Sequence, residues 1–426
     1  MTIQWERCTF QRVFDMGAKK RIIIIGAGAS GLMAAYSAAK AGASVLVIDS
    51  NPSAGRKINA TGNGRCNFTN ADADSLSHYY ATDKDFVGGV LSRFSVCDIL
   101  SLFESIGIEP HLEDEGKYFP LSGQASAVSE LLYKHLCSLG VEFVFNTKVT
   151  SVKPSAKGVN VTAGDDVLSC DGVIIAGGGM ASPETGSDGF CYTLAKQLGH
   201  NVTPTYPVIV QMKTKGGFYK SLSGLRIKAN VTLECDHKQI RSEMGDLLFF
   251  DYGISGPPVF HVSVDAAEYI AKGKSVCCVI DLLPDYDLSL LKEKLLARVN
   301  SFEGTAEDLF VGMLHKKLTR LVLDSAKVPQ TVQINSLNSV QINAIANAIK
   351  SNRVEIIGTK GWENAQATMG GVALDGVDKK TLASKKDKRI AFCGEVLDVV
   401  GDCGGYNLTW AWSSGFVAGK GMVESL

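Results

Sequence analysis

Residues 21–49 read RIIIIGAGASGLMAAYSAAKAGASVLVID, and this stretch constrains the chain more than any other. By hydropathy alone, Ile22 to Ala39 is an 18-residue apolar run, close to the roughly 20 residues a membrane-spanning helix needs. The glycines argue against a span. Gly26, Gly28 and Gly31 spell G-x-G-x-x-G. Ile22 to Ile25 is β-branched throughout, which favours a strand buried on both faces. Leu32 to Lys40 is rich in alanine, which favours a helix. Val45 to Ile48 reads as a second buried strand, and it ends at Asp49.

That strand–turn–helix–strand–acid unit binds adenine dinucleotides for mechanical reasons. Gly26 makes the tight turn, Gly28 lets backbone approach a pyrophosphate, and Gly31 lets helix and strand pack closely. The helix start, with Ala29 and Ser30, presents free N–H groups and partial positive charge to phosphate. Asp49 accepts hydrogen bonds from a ribose hydroxyl.

The dinucleotide is expected to be FAD, bound without a covalent link. The chain has a single complete unit of this kind, since IIAGGGMAS lacks the G-x-G-x-x-G spacing. The C-terminal part offers a second contact. The strand IAFCGE ends at Gly394 and Glu395, and a helix is expected to start at Gly405, Tyr406 and Asn407. Its N–H groups face the pyrimidine end of an isoalloxazine, which gains negative charge on reduction. Without a second unit, NAD(P)H is expected as a transient electron donor that visits the flavin and leaves.

The rest of the chain sorts around that core. Residues 1–20 read as an N-terminal extension with no apolar leader. Residues 21–202 and 353–426 read as two parts of one FAD-binding domain. Between them, 203–352 reads as an insert, β-barrel-like over 203–283 and helical over 284–352. Helices are expected over 86–140, a β-meander over 141–164, and a buried strand running into Ala176, Gly177 and Gly178.

The loop GRKINATGNGRCNFTN, residues 55–70, leaves the ribose-binding end of the second strand. Arg56 and Lys57 are expected at the ribose or pyrophosphate, where cations offset phosphate charge. Asn63, Cys66 and Asn67 are expected beside the flavin ring; Arg65, Cys66 and Asn67 are the catalytic candidates. Val149, Ala176, Gly177, Gly178 and Asp398 complete the expected cofactor contacts. The seven histidines have no ligand spacing and the eleven cysteines contain no C-x-x-C, so no metal site is expected.

With 43 basic and 44 acidic residues, the chain carries no global charge imbalance of the kind that marks nucleic-acid or anionic-membrane binding. A small-molecule substrate and a cytoplasmic location with reduced thiols are expected. Oligomeric state cannot be read.

Five stretches together resemble one family: GAGASGLMAAYSAAKAG, GRKINATGNGRCNFTN, GDLLFFDYGISGPPVF, ATMGGVALDGVD and FCGEVLDVVGDCGGYNLTWAWSSGFVAG. The sequence resembles the bacterial BaiN/YhiN-type flavoproteins, described as NAD(P)/FAD-dependent oxidoreductases. The resemblance runs from about residue 21 to the end. It implies an α/β fold: a Rossmann-like two-dinucleotide-type FAD domain interrupted by an inserted β-barrel-like plus helical domain. It also implies reduction of a conjugated C=C bond or flavin amine oxidation. The expected activity is NAD(P)H-driven hydride transfer through flavin N5 to an unsaturated or carbonyl-conjugated small molecule. Alternatives are a flavin amine or amino-acid oxidase using oxygen and, from another class, an RNA-modifying flavoprotein.

Overall fold

The computed structural model describes residues 19–216 and 218–426; most of the expected N-terminal extension therefore lies outside the described residues. The apolar run is divided between a strand and a helix. Arg21–Ile25 lies at the centre of a five-stranded parallel sheet, flanked by Ser44–Ile48 and Gly172–Ile175, with Glu142–Val144 and Ile390–Phe392 at the edges. Ile22 pairs with Val45 on one side and Gly172 on the other. Ile22, Ile23 and Ile24 have no exposed surface. Each such side chain contributes roughly 1.5–3 kcal/mol through burial, which explains why a short strand without polar residues occupies this place.

The helix Ala29–Lys40 packs along the last helix, Tyr406–Ser425. Two glycines allow the approach. A Cβ on Gly415 would stand 2.3 Å from the Ser30 carbonyl oxygen, and one on Gly419 2.2 Å from that of Ala34. The expected helices between 86 and 140 are present as Lys84–Leu91, Val96–Ser105 and Ala125–Ser138. The meander is the antiparallel sheet Val149–Ser155, Gly158–Ala163 and Asp166–Cys170. Its expected first strand, Glu142–Val144, joins the parallel sheet instead.

Two compact units emerge. One runs to Pro207 and resumes over Gln366–Leu426; the other is Val208–Ala365. The second holds a closed six-stranded barrel, in the order Met212–Thr214, Gly253–Ser255, Lys238–Phe250, Arg226–Cys235, Val276–Asp281 and Asn352–Thr359. The sequence boundaries at 203 and 352 are thus corrected. Asn352–Thr359 closes the barrel, with Val276 opposite Ile356 and Met212 opposite Thr359. The closing strand follows the helices Leu288–Ser301, Lys316–Ala326 and Ser339–Lys350, so local pattern could not assign it to strands more than seventy residues earlier. A helix at Pro257–Ala271, starting at two prolines suited to a first turn, also stands where strands alone were expected.

Candidate cofactor-binding site

A cleft of about 1290 Å³ opens at the carboxyl ends of the parallel strands. That volume includes space open to solvent. Gly26, Gly28, Ala29 and Ser30 form its floor. The three motif glycines divide between two roles. A Cβ on Gly26 would be 2.7 Å from the Ala176 carbonyl oxygen, and one on Gly31 would be 1.8 Å from that of Gly26. A Cβ on Gly28 would meet nothing within 4 Å. The first two are therefore packing glycines, and Gly28 faces open space at a helix start, where a phosphate is favoured. Gly31 itself does not line the cleft.

Asp49 holds the turn as well as facing the cleft. Its Oδ2 accepts from Ala27 N at 2.6 Å and its Oδ1 from Asn51 N at 2.7 Å. A carboxylate has about four acceptor positions, which leaves two for ribose hydroxyls. Arg56 and Lys57 both line the cleft. Arg56 Nη1 donates to Asn51 Oδ1 at 3.1 Å. Lys57 Nζ meets Glu395 Oε2 at 3.3 Å. Glu395 also accepts from Gly179 N at 3.2 Å and Thr368 N at 2.7 Å. It is thus a cleft-wall carboxylate that also ties three segments together.

Val149, Ala176, Gly177, Gly178 and Asn407 line the cleft as well. Asn407 holds the turn before the last helix: its Oδ1 accepts from Gly401 N at 2.8 Å, and its Nδ2 donates to Gly401 O at 2.9 Å. Gly405 and Tyr406 begin that helix without lining the cleft. Gly394 does not line it either. Its φ is +76°, and a Cβ on it would stand 2.3 Å from Ser30 Oγ, so it is a packing glycine.

Other expectations are displaced. Asp398 does not line the cleft. It accepts from Thr203 Oγ1 at 3.0 Å, and burial raises its pKa. Cys66 is fully buried, and burial pushes its thiol up to about 12, which removes the thiolate that redox chemistry needs. Arg65 is held by Glu113 and lies over the Phe119 ring, 4.3 Å from its centroid, so its guanidinium serves the loop. Asn63 is exposed, with φ +55°. Asn67 turns inward: its Oδ1 is buried without a hydrogen-bond partner and lies 3.1 Å from where a Gly405 Cβ would be. Of residues 63–67, none lines the cleft; Thr61 does. The loop coils back on itself because Gly62, Asn63, Gly64 and Cys66 are all left-handed.

Sequence reasoning missed one wall. Lys148 Nζ bonds Asp188 Oδ2 at 2.8 Å and lies 4.9 Å from the Phe190 ring centroid; all three line the cleft. Burial pushes the Asp188 carboxyl up, but Lys148 and the Phe190 amide outweigh it and the net shift is downward. No local motif marks these residues, because they come from a strand entry and a loop 40 positions apart. Among the described residues, no group of three His, Cys, Asp or Glu side chains is placed to hold a metal ion.

FAD fits this cradle. The space over Gly28, the helix start and the acid at the second strand end suit its phosphates and ribose. A family model described as the HI0933-like protein Rossmann domain matches residues 20–421. A 3-dehydro-bile acid delta(4,6)-reductase of Clostridium scindens is 36% identical over 408 residues, covering 95% of this chain and 99% of that protein. A ribosomal RNA dihydrouridine synthase of Haemophilus influenzae is 34% identical, covering 92% and 96%. One of Escherichia coli is 32% identical, covering 95% and 98%.

Proposed function

The chain belongs to the HI0933-like Rossmann-domain family of FAD-dependent oxidoreductases, and from that premise we propose that it reduces a C=C bond conjugated to a carbonyl group. Two observations support this: the dinucleotide cradle, and the shared chemistry in the relatives' names. A 3-oxo steroid with 4,6 unsaturation and a uracil ring both carry a C=C joined to C=O. Each accepts a hydride at the carbon remote from the carbonyl and a proton at the near one.

Bound FAD supplies the hydride through its N5. The chain's residues would bind and orient it. The Gly28–Ser30 helix start would take the pyrophosphate, and Asp49 the adenosine ribose. Lys148, Asp188 and Phe190 wall the part of the cleft beside Val149. Lys57 and Glu395 would contact the cofactor from the cleft wall, and the Asn407 turn would present backbone amides to the flavin ring. NAD(P)H delivers electrons in a separate encounter, because the chain has one dinucleotide unit. The setting is the cytoplasm; ten described cysteines are all free thiols, as in a reducing compartment.

A small molecule is the first reading of the substrate. Uridine in ribosomal RNA is the second, favoured by the names of two relatives. Global charge balance does not decide against it, since a local surface suffices for RNA contact.

Stopped-flow mixing tests both. The enzyme is reduced anaerobically with NADH or NADPH, then mixed with a 3-oxo-4,6-diene steroid or a uridine-containing ribosomal RNA fragment. Reoxidation by either supports the proposal and selects the substrate. Reduction by amines with rapid reoxidation by oxygen, and none by conjugated carbonyls, would replace it with an oxidase.

A further inference from the structure

His78 lies outside the cleft, yet both its ring nitrogens face carboxylates. Nδ1 is 3.2 Å from Asp402 Oδ2, and Nε2 is 2.9 Å from Asp72 Oδ2. Carboxylates only accept, and neutral imidazole has one N–H. Both contacts are hydrogen bonds only when the ring is protonated. The ring also stacks on Tyr406, with centroids 4.3 Å apart and planes 18° from parallel. Asp402 is 4% exposed, whereas the Asp72 side chain is 66% exposed.

The same place is tied by backbone. Asp402 N donates to His78 O at 2.8 Å, and Val399–Gly401 pairs with Tyr79–Ala81. The other ionisable neighbours are Glu115, Lys117 and Cys403 around Tyr406, and Lys84, whose Nζ bonds the carbonyls of Leu76 and Tyr79. Burial, with Asp72, Asp402 and Glu115, pushes the Tyr406 phenol up to about 12, so the stacked ring is neutral.

What this cluster grips is a glycine-rich turn. Gly401, Gly404 and Gly405 have little intrinsic stiffness, and they lead directly into the helix whose Asn407 and Leu408 line the cleft. Asn407 Nδ2 donates to the Asp402 carbonyl at 3.2 Å. Asp402 therefore links His78 to the first turn of that helix.

We infer that His78 is a positioning residue: clamped between Asp72 and Asp402 and stacked on Tyr406, it fixes the 401–405 turn and sets the amide end of the last helix against the redox ring. The inference rests on the FAD reading above. Amides held at the pyrimidine end stabilise the electron-rich reduced ring, so loosening them shifts the flavin to a more negative midpoint potential.

Spectroelectrochemical titration of the FAD-loaded protein tests this, with wild type, H78Q and D72N compared in the same buffer. Asp72 is exposed, so D72N carries the test even if H78Q folds poorly. Both variants are expected at more negative potentials than wild type. Variants with full FAD content whose potentials coincide with wild type overturn the inference. Protein that releases no FAD on heat denaturation overturns the cofactor reading first, a failure visible before any potential is measured.

Discussion

Lys57 and Glu395 stand 338 positions apart in the chain, and their side chains meet at 3.3 Å across the cleft wall. Glu395 is also where the amides of Gly179 and Thr368 converge. E395Q keeps the size and loses the charge on all three bonds. The pair is partly solvated, at 28% and 20% side-chain exposure, so the loss in folding stability is about 1 kcal/mol. FAD affinity should fall about tenfold, read by fluorescence titration. Wild-type affinity would remove Glu395 from the cofactor site.

Two glycines of one motif should fail in different ways. G31A puts a Cβ 1.8 Å from a backbone oxygen, and backbone cannot yield cheaply. It should cost more than ~2 kcal/mol, visible as a large drop in Tm of the protein freed of FAD. G28L meets no protein atom at its Cβ. It should melt near wild type and bind FAD about 100-fold more weakly, or ~2.7 kcal/mol. Equal damage to folding from both would sink the division of roles.

Cys66 should be inert. Buried, with its thiol pushed up to about 12, it should resist iodoacetamide in the native protein and react only after unfolding. C66A should retain turnover. Inactivation by labelling at Cys66 in the folded enzyme, mapped by mass spectrometry, would restore it as a catalytic thiol.

Glu243 gives the Val208–Ala365 unit an acid-sensitive contact. The His261 contact, then Arg241, outweighs burial and holds its carboxyl at about 2; Arg241 Nε donates to it at 2.6 Å. A depressed carboxyl stabilises the fold above its unfolded pKa, ~4.3, and that gain is lost as pH falls toward about 2. E243Q should therefore melt lower than wild type at pH 6 and converge with it near pH 2. Parallel melting curves across that window would refute the assignment.

Residues 21–49 were readable because strand, turn, helix and acid are adjacent, and each element is set by its neighbours. The strand running into Gly177 and the turn at Asn407 were readable for the same reason. Asn63 to Asn67 stay off the cleft although their loop leaves the second strand beside Asp49. Four left-handed residues fold the loop back, and one of them, Cys66, has no sequence signal for that conformation. Lys148 and Asp188 were unreadable because their meeting depends on the ends of two distant segments. The barrel's closing strand had the same difficulty: its alternation was visible, and its partner was not.

The last helix has a consequence for synthesis. Strand Ile390–Phe392 supplies a sheet edge, and Asn407, Leu408 and Trp410 line the cleft. Gly415 and Gly419 seat that helix on the helix that begins at Ala29. A product truncated ahead of residue 390 keeps the glycine turn and Asp49 but lacks this part of the cleft wall, and it should emerge colourless however well its barrel folds.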